Sequence, residues 1–218
     1  MRGLNRWFPH IVVAGVGLFG AKGACPMTDT VHDLGAIFDE HVAHEFVAKD
    51  LAATMATMTA DPYVNHVPTM MGGVGAPGVA EFYGQYFIGH WPDDTRIIPV
   101  CRTVGTDRVV DEMVMSFTHD IAMPTFLPNV APTGRAVMLP VVVVMGFQAN
   151  PESGEPKVAY ERIYWDQASL LVQVGLLHED LLPVAGVAQA HKVLDKDVPA
   201  NTLLRRGQLE ARRGIDPR

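Results

Sequence analysis

The stretch KVAYERIYWDQASLLVQVGLLH at 157–178 limits the fold more than any other part of the chain. Its side chains alternate as a strand demands. Val158, Tyr160, Arg162, Tyr164 and Asp166 fall on one face, and Ala159, Glu161, Ile163, Trp165 and Gln167 on the other. Neither face is purely solvent-like. Aromatics, two acids and an arginine on an apolar background predict the wall of a pocket, because buried charge is tolerated mainly where it is paired or functional. Leu170, Leu171, Val174 and Leu177 then carry the spacing of a short helix or a continued strand that closes against the core.

A chain of 218 residues, 48% hydrophobic and 19% charged, has enough apolar mass for one pocket-bearing domain, which we place at 27–182. Residues 1–26 read as an N-terminal extension or signal-like segment and 183–218 as a C-terminal extension. The net charge of -7, with 17 basic residues scattered except at the end, excludes a nucleic-acid surface. The basic tail LLRRGQLEARRGIDPR reads as a solvated terminus. Cys25 and Cys101 form no CxxC or Cys/His ligand spacing. No run reaches the roughly 20 apolar residues of a membrane span. Arg2 and Arg6 before IVVAGVGLFGA at 11–21, with AKGA at 21–24, imitate a signal peptide. The rival reading starts folding near Met27. Cytoplasmic location follows from the second reading, export from the first.

Apolar residues at Leu34, Phe38, Val42, Phe46 or Val47, Leu51, Met55 and Met58 predict one long helix, capped by Thr30 or Asp33 and ended by Asp61-Pro62. On it, HVAHE places His41, His44 and Glu45 within one turn. A His pair at i and i+3 can meet a metal, but HExxH is absent and no third ligand is designated, so the expectation is a solvated polar face. YVNHVPTMMGGVGAPG at 63–78 begins as a strand and becomes a glycine-rich loop without phosphate-loop order. The next predicted helix, 78–91, carries Val79, Phe82, Tyr83, Tyr86 and Phe87 on one face, and PDD at 92–94 stops it. Strand-like runs follow at 95–104, 108–119, 135–148 and 157–168, the third apolar enough to be buried on both faces, with Pro140 marking a bulge or an edge. Between them, Met123, Phe126 and Leu127 of the proline-rich segment 121–135 have the character of a lid. Helices followed by hairpin-linked strands predict an α+β domain, a curved antiparallel sheet packed on N-terminal helices.

The ordered set NHVPTMMGGVG at 65–75, FYGQYFIGHWPDD at 82–94, VGTDRVVDEM at 104–113, FTHD at 117–120, PTGRAV at 132–137 and YERIYWDQASLLVQVGLL at 160–177 resembles the SnoaL-like polyketide cyclases, or ester cyclases, of the nuclear-transport-factor-two-like superfamily. The resemblance spans roughly residues 34–180. It implies a cone-shaped α+β fold around one deep apolar pocket, dimerisation through the sheet, no cofactor, and aldol-type ring closure in which a pocket carboxylate takes a proton from an activated carbon. One departure stands out. The position of the antibiotic cyclases' catalytic aspartate falls near Val143, so any base must come from elsewhere.

Asp166 and Glu161 are the candidate bases and His119 the candidate oxyanion donor or proton relay. Asp166 reads equally well as a strand-end or helix-capping residue. His66, Tyr83, Glu112, Tyr164 and Trp165 are the candidate substrate-binding residues. The expected ligand is a small hydrophobic carbonyl or ester compound, bound by a homodimer that acts as a cyclase or isomerase. A hydrolase using an acid-activated water, and a non-catalytic binding module, are the alternatives.

Overall fold

The computed structural model describes residues 32–179 and 182–205, and the described residues from Asp33 onward form one compact unit. The signal-like segment, Thr30 and the end of the basic tail lie outside the described residues. Asp33 caps the first helix, α1 (Leu34–Ala43), by accepting from the Ala36 amide at 3.1 Å. The helix does not run on to Met58 as its periodicity predicts. It passes into a π-helical turn, His44–Ala48, after which Lys49 adopts the left-handed conformation (φ 52°) and Asp50 caps a separate helix, α2 (Leu51–Ala56). A second aspartate cap inside an apolar run is what splits the segment, because its carboxylate satisfies the amides that open a new helix.

Strand β1 (Met58–His66) begins earlier than expected and contains Asp61-Pro62, which does not terminate a helix but sits where the pairing register shifts. A proline that cannot donate is accommodated at such an irregularity. The glycine-rich loop holds a short strand, β2 (Met71–Val74), that leads directly into α3 (Gly75–Phe82) and a second π-helical turn, Tyr83–Phe87. Then come β3 (Arg96–Val104), β4 (Arg108–Thr118), β5 (Ala136–Ala149) and β6 (Pro156–Trp165), near their expected bounds, followed by α4 (Gln167–Gln173) and α5 (Ala188–Leu194). Helix α5 of the C-terminal extension packs on β5 and β4 with Ala190 fully buried, so part of that extension belongs to the core. Among the described residues no helix is long and apolar enough to cross a membrane.

The architecture is α+β, with one open six-stranded sheet in the order β2-β1-β6-β5-β4-β3. It is mixed rather than wholly antiparallel, because β1 and β6 run parallel. These two strands are joined through the rest of the chain and not by a hairpin, so no short connection forces them antiparallel. Pro140 causes no bulge. It pairs with Val114 of β4 beyond the end of β6, whose Trp165 already faces Val141, so it has a strand neighbour on one side only.

The register fixes which side chains face the helices. Met113, Met115, Leu139, Val141, Met145, Glu161, Ile163 and Trp165 share the inward face, and all are buried. Alternation puts Glu112, Val142, Arg162 and Tyr164 on the other. Val142 and Val144 are only half-buried, so β5 is not enclosed on both faces. Met123, Phe126 and Leu127 are core residues. Their segment is tied down by Thr69 and Thr125 hydroxyls, which donate to the Thr125 and Tyr86 carbonyls at 2.8 Å each. At the far edge Arg102 clamps α1 to the sheet, donating to Asp111 at 2.6 and 2.7 Å and to Asp39 at 2.7 Å while stacking over Phe38.

The glycines of the loop serve close packing. A Cβ on Gly73 would stand 2.3 Å from the Gly78 carbonyl oxygen, which is backbone and cannot swing away. Gly73→Ala is therefore expected to cost about 1–3 kcal/mol in urea unfolding by overpacking the β2–α3 corner.

Candidate functional site

The inward face of β6 delivers Glu161 into the space beneath α1 and α3, and four other polar side chains meet it there. His41 comes from the last turn of α1 and Glu45 from the π-helical turn that follows. Tyr83 comes from the start of the second π-helical turn, and His66 from the end of β1. All five are buried. The placement of His41 and Glu45 overturns the expectation of a solvated polar face. Of the polar residues of HVAHE only His44 is partly exposed, and it pairs with exposed Glu40 at 3.8 Å.

The Tyr83 hydroxyl donates to Glu161 Oε2 at 2.7 Å, and His41 Nε2 stands 3.1 Å from Glu161 Oε1 and 3.3 Å from the Tyr83 oxygen. Nε2 is also 3.4 Å from Glu45 Oε1, but outside hydrogen-bonding geometry, which leaves that oxygen buried without a hydrogen-bond partner. The other imidazole nitrogen, Nδ1, meets the Thr57 hydroxyl, which itself donates to the Thr54 carbonyl at 2.7 Å. With the Thr57 proton committed there, Nδ1 must carry the hydrogen and donate it. The tautomer is thus set from outside the cluster, and Nε2 is the nitrogen that exchanges its proton with the carboxylates.

Burial alone pushes His41 down, but the charges of Glu161 and Glu45 more than reverse it, raising its pKa to about 10. Burial and the Glu161 charge push Glu45 up to about 6 against the pull of His41. Burial also acts to raise Glu161, yet the His41 charge and the His41 and Tyr83 hydrogen bonds hold it below the usual carboxylate range. Burial and the neighbouring carboxylates raise the Tyr83 phenol, keeping it a donor. Near neutral pH the cluster is an imidazolium, one firm carboxylate, one carboxyl poised to gain or lose a proton, and a phenol.

His66 stands beside this group in an aromatic shell, its ring centroid 5.3 Å from Phe82, 5.4 Å from Phe87 and 6.0 Å from Trp165. Burial pushes its pKa down to about 4, against the opposing pull of Glu161 and a backbone contact with Met71, and its Nδ1 has no partner.

The other sequence candidates lie elsewhere. Asp166 is exposed and caps α4, accepting from the Ala168 and Ser169 amides and from the Ser169 hydroxyl at 2.6 Å. Strand parity had already set it on the face opposite Glu161. His119 is fully buried just past β4, with Nδ1 against the Thr133 hydroxyl at 3.1 Å and Nε2 unpartnered. Desolvation lowers its pKa against the opposing charge of Asp120. Glu112 faces away from the helices, where Cys101 donates to it at 3.3 Å, and Tyr164 is exposed on the same face. Trp165 is inward, stacked on Phe126 at 4.1 Å with its Nε1 donating to Gln167. The structure therefore unites Glu161, Tyr83, His66 and Trp165 in one interior and adds His41 and Glu45.

No family model matches the sequence, and no curated protein does. Among solved structures the chain is similar to a SnoaL-like polyketide cyclase described as putative from Jannaschia sp. CCS1 (19% identity, 66% of this chain and 94% of that one, TM-score 0.48). It is similar to IdmH, described as a putative polyketide cyclase, from Streptomyces antibioticus (18%, 66% and 99%, 0.48) and to AclR, described as a putative hydroxylase, from Streptomyces galilaeus (21%, 66% and 96%, 0.48).

The His66 pKa gives a signed pH dependence. Its folded value lies below the unfolded 6.5, so this stabilising contribution is complete above pH 6.5 and is lost as pH falls toward 4. Thermal melts across that window should show a stability loss in the wild-type protein that is smaller in His66→Phe, and the His66 imidazole nitrogens should keep neutral-form NMR shifts at pH 5.

Proposed function

We propose that the chain is a SnoaL-like protein that acts on a small hydrophobic carbonyl or ester compound by general acid–base chemistry, with Glu161 as the proton acceptor. What carries the reading is the setting of Glu161, a carboxylate buried among aromatic rings and held by a phenolic donor and an imidazole. Buried charge of this kind is costly to maintain for packing alone. The order of sequence motifs over 34–180 adds the family reading, and the apolar surroundings suit a ligand with little charge of its own.

In this reading Glu161 takes a proton from a carbon next to a carbonyl, and the electron pair left on the carbon moves into the carbonyl to form an enolate. Once protonated, Glu161 no longer needs the Tyr83 hydrogen bond, and the phenol is released to donate to the enolate oxygen. His41 balances the carboxylate charge while Glu161 waits, and Thr57 keeps the imidazole in the required tautomer. His66 lines the ligand side as a neutral imidazole with a free acceptor nitrogen.

The reading is tested with hydrophobic 1,3-dicarbonyl carbon acids in D2O, following uptake of deuterium at the activated carbon by mass spectrometry. The wild-type protein should accelerate exchange. Glu161→Gln should lower the rate about 10²–10⁴-fold, while Asp166→Asn, which preserves the helix cap, should leave it unchanged. Equal rates for Glu161→Gln and wild type, with both folded by circular dichroism, would remove Glu161 from the chemistry.

A further inference from the structure

The two carboxylates that face His41 are one more than an ion pair needs. An imidazolium between two ionised glutamates leaves a net negative charge in the interior, whereas a divalent cation with a neutral imidazole and the same two glutamates sums to zero. Buried charges are retained where they are paired or bind metal.

We propose that His41 Nε2, Glu45 and Glu161 form a binding site for a first-row divalent transition cation such as zinc. The three donor atoms, all buried, lie within 4.8 Å of one another. His41 Nε2 stands 3.1 Å from Glu161 Oε1 and 3.4 Å from Glu45 Oε1. Ligands held at about 2.0–2.2 Å from one zinc at tetrahedral or right angles are separated by about 2.9–3.5 Å, so the two separations from Nε2 match donors around a common ion, and the carboxylates, within 4.8 Å of each other, must draw together by side-chain rotation to complete it. Glu45 Oε1 provides a second, independent observation, because it is buried, faces the imidazole and has no hydrogen-bond partner. The imidazole meets it as an ion pair at 3.4 Å without a hydrogen bond, so its lone pairs are free to coordinate.

The surrounding contacts orient these donors as metal ligands are oriented. Thr57 fixes the hydrogen on Nδ1, which presents Nε2 as the coordinating nitrogen. Tyr83 holds the outer oxygen of Glu161 at 2.7 Å and turns Oε1 toward the imidazole. One imidazole and two carboxylates form a mixed nitrogen and oxygen set, which suits zinc and its first-row neighbours better than magnesium or calcium. His41 and Glu45 share one helical segment and Glu161 comes from the sheet, so the ion would join the two layers.

The inference uses the same cluster as the catalytic reading but does not depend on it. A cation held there takes Glu161 out of proton transfer, so the loaded form and the acid–base form exclude each other. Binding is therefore measured without reference to turnover. The full-length chain is incubated with zinc, and a second sample is refolded with it so that burial does not bar entry. Both are passed over a weak chelating resin and analysed for metal. The expected result is about one ion per chain. Glu45→Gln should weaken binding at least about tenfold, and His44→Ala, which removes the neighbouring surface imidazole, should leave it unchanged. Cobalt in the unmodified protein should shift the His41 and Tyr83 ring resonances paramagnetically, a readout that needs no variant. No retained metal in either sample, binding that Glu45→Gln preserves, or cobalt shifts confined to surface histidines would each overturn the site.

Discussion

The contact between His41 and Glu161 is the interaction on which the interior depends. It joins α1 to the inward face of β6 through groups that cannot be left alone in an apolar environment. Removing one partner of such a pair typically costs about 3–5 kcal/mol, because the other is stranded, whereas the intact pair is worth far less than its Coulomb energy suggests. The arrangement persists because each remaining valence has an answer. Thr57 takes Nδ1, Tyr83 takes the second oxygen of Glu161, and aromatic rings close the rest. Glu45 Oε1 and, beside the group, His66 Nδ1 are the exceptions, and exceptions inside a network of this kind are where function is to be sought.

Two π-helical turns place the helical members of this cluster. His44–Ala48 begins within the span from His41 to Glu45, and Tyr83–Phe87 begins at the phenol itself. A π-helical turn widens the backbone ladder locally and re-aims the side chains at its start, which is why such turns gather at working sites. Here each lies where a helix must point a polar group at the sheet while Phe46 and Phe87, further along, pack against Trp91. At the opposite edge, the Asp39–Arg102–Asp111 clamp fixes the same helix α1 against β3 and β4. The helix is thus pinned by ionic contacts on both sides of its apolar residues, which limits how far His41 can drift from Glu161.

Strands β3 to β6 were legible from the sequence because alternation is a strict rule. Glu161, Ile163 and Trp165 share a parity, and all three face inward. The same parity set Asp166 and Tyr164 apart from Glu161, and the local motif YWD concealed that distinction. His41 and Glu45 were missed for a different reason. The apolar pattern picked out Leu34, Phe38, Val42 and Phe46, while the stripe that is buried runs Leu34, Phe38, His41 and Glu45. Both follow helical spacing, and only the second contains polar residues, which a search for apolar faces discards. A helical stripe completed by a histidine and a glutamate was the available signal. The parallel pairing of β1 with β6 had no local signal, because it joins strands far apart in the chain.

In the function proposed above, Val143 marks a site that keeps its face of the sheet and changes its strand. The resemblance read from the sequence implies a catalytic aspartate near this position, whereas the side chain here is apolar and points toward the helices. Its pairing partners are Asp111 on one side, held by Arg102, and Ile163 on the other. Asp111 therefore has its charge committed to the clamp. Glu161 is two residues before Ile163 on β6, so it shares the face of Val143 and lies diagonal to it, about 7–8 Å away by the ordinary spacing of such neighbours. A carboxylate moved by that distance reaches the same interior from the adjacent strand. It also comes within reach of α1, which is why His41 rather than a residue of the sheet balances its charge.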